Sequence, residues 1–346
     1  MNKKVVLAYI AIVLAMIGNC LSSPLQRYSL AMGAQTEAIV FWRYLMATVL
    51  LIPFFLKKEE RTGVKNIFSM KKVLLLLMVA AVAKTLQSIF WVETIKNTSV
   101  FVGTTLAQTY PLMAALGAYI FLKEKTPWTA IIGILISLFG MVMVGVIDMQ
   151  EATGNFLGIL YATLNTVAYT AYMLINRGVH TRGSFPLIDL LFVQFATNTV
   201  VALVIALAKG VPLGPFPAEV YFQLLLLCII STALTQFFHV FGLKYVTPVT
   251  QSMICVSEPI VTAFIAFFTL GEIPTIGTVI GSLIVMGGMA WYFIAVEKDK
   301  KKHLAAPIPD PTPPEGEAEE LLPELEEILE EPVSTETLGE SSSKTG

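Results

Sequence analysis

Charge is the scarcest commodity in this chain. Of its 346 residues 14% are Asp, Glu, Lys or Arg, against 55% hydrophobic. A water-soluble domain carries roughly a quarter charged residues, so the composition excludes a soluble globular protein and points into the bilayer. Cysteine is equally sparse. Cys20, Cys228 and Cys255 each lie inside an apolar run, which excludes a disulfide framework and a CxxC motif. There are three histidines, no HExxH pair, no GxxxxGK[ST] loop and no Ser/His nucleophile context. Zinc hydrolysis and ATP-driven pumping within this chain are therefore excluded. No cofactor, metal or nucleic-acid partner is expected, and the chain is not expected to be an enzyme.

What is abundant is apolar length. Ten apolar spans lie at roughly 5–22, 38–56, 73–95, 99–122, 128–147, 156–176, 187–208, 219–243, 249–270 and 275–296. Each is close to the ~20 residues a spanning helix needs. The first follows Lys3-Lys4 but lacks a small-x-small cleavage site, so a retained anchor is expected. With the amino terminus on the cytoplasmic side, the inner segments would hold 17 Lys and Arg and the outer loops 3, namely Arg27, Lys96 and Lys209. That bias predicts a multi-pass plasma (inner) membrane protein with both termini cytoplasmic. Residues 1–302 carry a net charge of +9 and the tail 303–346 a net of −11. Rich in Pro and Glu, the tail cannot bury a core and is expected to be disordered.

The spans repeat. At a fixed offset of 148 residues, Lys96 falls on Lys244, Pro111 on Pro259, Leu122 on Leu270, Glu124 on Glu272, Gly133 on Gly281 and Gly140 on Gly288. Chance likeness among Leu-rich helices would not hold one register across Lys, Pro, Glu and Gly. Five spans per copy is an odd number, so the second copy enters the membrane upside down. The expected fold is thus an all-α membrane protein of ten transmembrane helices in two inverted five-helix repeats, residues 1–147 and 148–302, with the tail outside. A broken helix in each half is the layout of a secondary transporter.

Polar residues in hydrocarbon are costly and should face a cavity or a neighbouring helix. Span three carries Lys84, Gln87, Ser88 and Trp91 on one helical face. The offset maps these to Thr232, Thr235, Gln236 and His239 in span eight, so two polar stripes are expected to face each other across a central pathway. Gln108 and Tyr110 of span four, Tyr169 of span six and Glu258 of span nine would complete a substrate site. A mid-span lysine costs roughly 2.5–3.5 kcal/mol on insertion scales, and Glu258 is the obvious counter-charge for Lys84; a structural buried ion pair is the plainer alternative. Pro111 and Pro259 each remove a backbone donor and are expected as hinges, with a static kink as the alternative. Glu93, Arg43 and Asp189 lie nearer the membrane surfaces, where they can snorkel. Gly133-x-x-x-Ser137 and Gly277-x-x-x-Gly281 are small-residue faces suited to close helix packing, within the chain or in a homodimer.

The run Leu243-Lys244-Tyr245, Glu258-Pro259, Leu270-Gly271-Glu272, Gly281 and Gly287-Gly288 resembles the EamA repeat of the drug/metabolite transporter superfamily. The first copy is more divergent, with Tyr110 before its proline. Arg43 sits where that family commonly has an arginine early in its second helix. The resemblance covers about 5–296 and implies ten helices in inverted five-helix repeats and export of a small metabolite such as an amino acid by alternating access. A proton is the candidate coupling ion, and membrane lipid the expected surroundings. A non-transporting scaffold or receptor whose acidic tail recruits a partner, and a passive channel, stay open as alternatives.

Overall fold

The computed structural model of the chain describes residues 3–55, 69–113, 127–150, 155–180, 187–243, 245–246, 251 and 254–305. It divides into two units, 1–299 and 300–346. Of the second, only residues 300–305 are described, as helix, so the expected disorder of the tail lies outside the described residues.

Every element among the described residues is helical. In order they are α1 (Lys3–Ala31), α2 (Thr36–Phe55), α3 (Lys71–Asn97), α4 (Val100–Ala107), α5 (Trp128–Gln150), α6 (Phe156–His180), α7 (Leu187–Ala208), α8 (Ala218–Cys228), a π-helical turn (Ile229–Leu234), α9 (Thr235–Leu243), α10 (Glu258–Leu270) and α11 (Ile276–Ala305). α8, the π-turn and α9 run on as one rod. Eight stretches are long and apolar enough to cross a membrane, and α10 is a shorter apolar helix. Spans one, two, three, five, six, seven, eight and ten of the sequence each find one of the eight. Spans four and nine run partly through undescribed residues.

α1 is longer than its apolar run suggests. It continues through Pro24 to Ala31, past the end of the 5–22 run. An interior proline costs about 3 kcal/mol, but Pro24 is buried and its helix is anchored further on. Arg27 donates to the carbonyls of Ile95 and Thr98 at 2.6 Å each, which holds the last turns against α3.

The helices pack in pairs that the 148-residue offset exchanges. α3 lies along α6, and α1 along α8, the π-turn and α9. The offset carries α1 onto α6 and α3 onto the α8–α9 rod, so it swaps these two pairs. α2 against α7 maps onto itself. So does α5 against α11, where the contact is close. A Cβ on Gly133 would meet the Gly288 carbonyl oxygen at 2.6 Å, and one on Gly140 the Gly281 carbonyl oxygen at 2.9 Å. Between them the Ser137 hydroxyl donates to the carbonyl of Val285, its own mate under the offset, at 3.1 Å. The two helices run antiparallel, because rising numbers in one meet falling numbers in the other. The small-residue faces expected for helix packing are therefore spent on each other within the chain, and Gly277 is covered by Ile147. A homodimer would have to use other surfaces.

Candidate functional site

Two breaks set up the site. In the first half the helix turns at residues 108–109 and resumes at 110–113; in the second it turns at 256–257 and resumes at Glu258. The offset maps one break onto the other. Pro111 and Pro259 follow each turn, at positions where a missing N–H costs a helix little. The breaks touch side chain to side chain: Gln108 Nε2 donates to Glu258 Oε2 at 2.5 Å. Glu258 is also tied to α1, since the Cys20 thiol points to its carbonyl at 3.7 Å.

Lys84 does not use Glu258. Its ammonium donates to Gln87 Oε1 at 2.9 Å and lies over two ring faces, 4.9 Å from the centroid of Tyr169 and 5.1 Å from that of Tyr172. Gln87 in turn donates to Asn165 Oδ1 at 2.6 Å. Tyr110 stands edge-on to Tyr169 with centroids 4.8 Å apart, and Tyr169 stacks on Tyr172 at 5.9 Å. The cation thus rests on tyrosine rings and makes no ion pair with the carboxylate that the sequence suggested as its partner. Aromatic faces attract cations, which explains how a lysine persists here with no acid beside it among the described residues. Lys84, Gln87, Tyr110, Tyr169, Tyr172 and Glu258 are half-buried rather than sealed.

Other residues of the expected site are placed elsewhere. The Ser88 hydroxyl pairs with the Tyr44 hydroxyl at 2.6 Å and fastens α3 to α2. Trp91 packs with Ile95, Val100 and Ala266, beyond the Lys84 group. His239 Nδ1 is 2.7 Å from Gln251 Nε2, further along α9. Gln236 is half-buried on the same helix.

Arg43 is the residue that sequence reasoning undervalued. It does not snorkel to a surface. Its Nε donates to Thr232 Oγ1 at 2.9 Å and its Nη2 to the Ser231 carbonyl at 3.4 Å, both in the π-turn. That turn opens the i→i−4 ladder and leaves carbonyls to be filled, and such bulges often mark functional positions. Thr232 and Thr235 answer two of them, donating to Leu227 and Ile230 at 3.3 and 2.9 Å. The two polar stripes therefore meet through α2: Arg43 reaches one, and Tyr44 reaches Ser88 on the other. The family position of Arg43 was the available signal; its direction could not be read from α2 alone.

A second polar group lies at the end of the bundle where α1, α3, α7 and α10 finish. Arg27 pairs with Glu272 at 2.5 Å, and Glu272 Oε2 accepts the Val100 N–H at 2.9 Å. Lys209 pairs with Glu37 at 2.6 Å, Lys96 with Glu93 at 3.7 Å, and Thr36 donates to Glu93. A recess of about 520 Å³ lies here, lined by Arg27, Thr36, Glu37, Glu93 and Lys96 among others. Glu93, on its wall, is nine residues along α3 from Lys84, about 13 Å, so this recess and the mid-bundle cluster are separate places.

Helical spans in two offset-related sets, with paired breaks and a polar cluster at mid-span, define a multi-pass membrane protein built by duplication. The chain belongs to the EamA-like transporter family, whose model matches twice, over residues 6–146 and 156–294. It is 24% identical over 210 residues to an uncharacterized transporter, YdfC, of Bacillus subtilis (strain 168), a match covering 60% of this chain and 66%, just under two thirds, of that protein. A solved crystal structure shares the fold at a TM-score of 0.58 and 15% identity, covering 84% of this chain and 99% of that one.

Proposed function

We propose that the chain is a secondary active transporter that exports a small metabolite, such as an amino acid, across the plasma membrane by alternating access. The observation that carries this is the pair of helix breaks, registered at the 148-residue offset and joined by Gln108 and Glu258. Broken backbone at mid-membrane persists only where protein or a wet cavity satisfies it, and half-helices at a repeat interface are where such carriers bind solute. Substrate would lie against Lys84, Gln87, Tyr110 and Tyr169, with Lys84 facing its anionic group. Glu258, held by a neutral amide, would carry the coupling proton.

Inversion of the repeats 1–147 and 148–302 is supported by the antiparallel, self-paired contact of α5 with α11, which a two-fold axis in the membrane plane would produce. Ten spans would follow, with spans four and nine broken. The excess of basic residues on the other side would make the Arg27–Glu272 end the outer one and put both termini in the cytoplasm.

The test is counterflow in proteoliposomes holding the purified full-length chain, with labelled amino acids in turn. Saturable exchange supports a carrier, flux linear in concentration would mean a channel, and no flux across the panel would leave a scaffold. Orientation is tested with single cysteines at Lys65 and Lys209 on a background lacking the three native thiols. An impermeant reagent applied outside intact cells should label only the second.

A further inference from the structure

Lys84 is not the lone cation at mid-bundle. Arg43 comes in from α2, and its known contacts leave part of its fork of five N–H donors uncommitted: one goes to the Thr232 hydroxyl and one, at 3.4 Å, to a backbone carbonyl. Among the described residues, no acid side chain contacts either cation. The residue whose carbonyl Arg43 reaches also carries a hydroxyl with nothing to bond. Ser231 is 3% exposed and its Oγ has no hydrogen-bond partner, whereas its neighbours Thr232 and Thr235 donate to the carbonyls of Leu227 and Ile230. A buried unpaired hydroxyl is costly. Two cations without a counter-ion are costlier still. One anion would satisfy all three groups, on α2, α3 and the π-turn, at once.

We propose that Arg43, Lys84 and the Ser231 hydroxyl form an anion subsite that takes the carboxylate of the transported solute, so that the protein selects carboxylates and rejects the corresponding amines. The proposal rests on the transporter reading above and names its substrate class. The planar guanidinium suits a planar carboxylate, which it can hold with two parallel N–H bonds. Lys84 supplies a point charge from the side of the tyrosine rings, and Ser231 donates its free hydroxyl. The π-turn has a purpose in this arrangement: it turns the Ser231 carbonyl toward Arg43, which orients the fork. The solute's remaining surface would run from there toward Tyr169, Tyr110 and Glu258. Arg43 is thus a specificity-determining residue, and its symmetry mate under the offset, Leu191, carries no charge. The subsite is one-sided, as a site for a polar solute with distinct ends must be.

The experiment measures binding to the purified full-length protein in detergent by thermal shift, with three matched sets of probes. Each set shares a side chain and differs in its charged groups: phenylalanine, 3-phenylpropanoate and phenethylamine; leucine, 4-methylpentanoate and 3-methylbutylamine; serine, 3-hydroxypropanoate and ethanolamine. Within at least one set the two carboxylate-bearing probes should bind and the amine should not. Arg43→Gln should weaken carboxylate binding by at least about tenfold, the loss of one charge-assisted hydrogen bond. Arg43→Lys, which keeps the charge and loses the fork, should fall between. Ser231→Ala should weaken binding less than Arg43→Gln while melting within a few degrees of the parent, so it reads the subsite even if Arg43→Gln fails to fold. Amines binding as well as carboxylates, carboxylate affinity unchanged in both Arg43→Gln and Ser231→Ala, or a parent that no carboxylate shifts would each overturn the proposal. Saturable counterflow of an amine would overturn the subsite and keep the transporter. Carboxylate binding with no flux would keep the subsite and overturn the transporter.

Discussion

Glu258 shows how much of a polar residue's behaviour depends on its partner. Its carboxylate accepts from Gln108, which is 8% exposed. Glu258→Gln still offers an oxygen to that amide, so it should melt close to the parent. Glu258→Leu strands the buried amide and should cost about 1–3 kcal/mol. Melting curves of both variants in detergent decide it, and equal melting temperatures would remove the Gln108 contact from the packing. Lys209 makes a different prediction at the edge of the bundle. Its hydrogen bond to Glu37 raises its pKa above the usual lysine range; burial, the next largest effect, opposes the rise, and the carboxylate's charge adds to it. A raised folded pKa means that the stabilisation is fully present below the unfolded value, about 10.4, and is lost as pH climbs through the folded value. Lys209→Met should therefore destabilise slightly at neutral pH, and the gap from the parent should close above about pH 10.4. The effect is small because the Lys209 side chain is 57% exposed. A gap that stays constant from pH 7 to 11 would mean that the ion pair contributes nothing.

Among the elements, α5 and α11 depend most on what is missing from their side chains. A Cβ on Gly288 would come within 2.4 Å of Ser137 Oγ, 2.6 Å of the Ser137 nitrogen and 2.7 Å of the Gly133 carbonyl oxygen. Two of those neighbours are backbone and cannot turn aside. Its neighbour Gly287 would meet nothing within 4 Å. Gly288→Ala should cost about 1–3 kcal/mol by overpacking, whereas Gly287→Ala should be neutral or slightly stabilising, since Ala is the better helix former. A melt of the two single variants side by side tests the contact, and parity between them would refute this packing. The α8–α9 rod makes the complementary case. Its π-turn is held open by hydroxyls and a guanidinium rather than by small residues, and α2 supplies the guanidinium from 189 residues away.

At the scale of the whole molecule, Arg27 joins parts that are distant in sequence. One side chain reaches the carbonyls of Ile95 and Thr98 in the first family segment and the carboxylate of Glu272 in the second. Breaking a fully buried pair costs 3–5 kcal/mol. With the two side chains 28% and 17% exposed, Arg27→Met should cost about 2 kcal/mol, read as a lower melting temperature that Glu272→Gln alone reproduces only in part. No change in Arg27→Met would mean that this end is held by apolar packing alone. The sequence by itself determined the membrane class, because apolar run length is a local property. It determined the duplication and the two breaks too, because a fixed offset and a proline are visible in one dimension. It could not determine that Lys84 rests on tyrosine rings rather than on Glu258, that Arg43 turns inward to the π-turn, or that the small-residue faces close on each other. Each of these depends on how a helix is rotated about its axis, and that rotation is set jointly by all the helices packed against it. Only the tertiary structure contains that information.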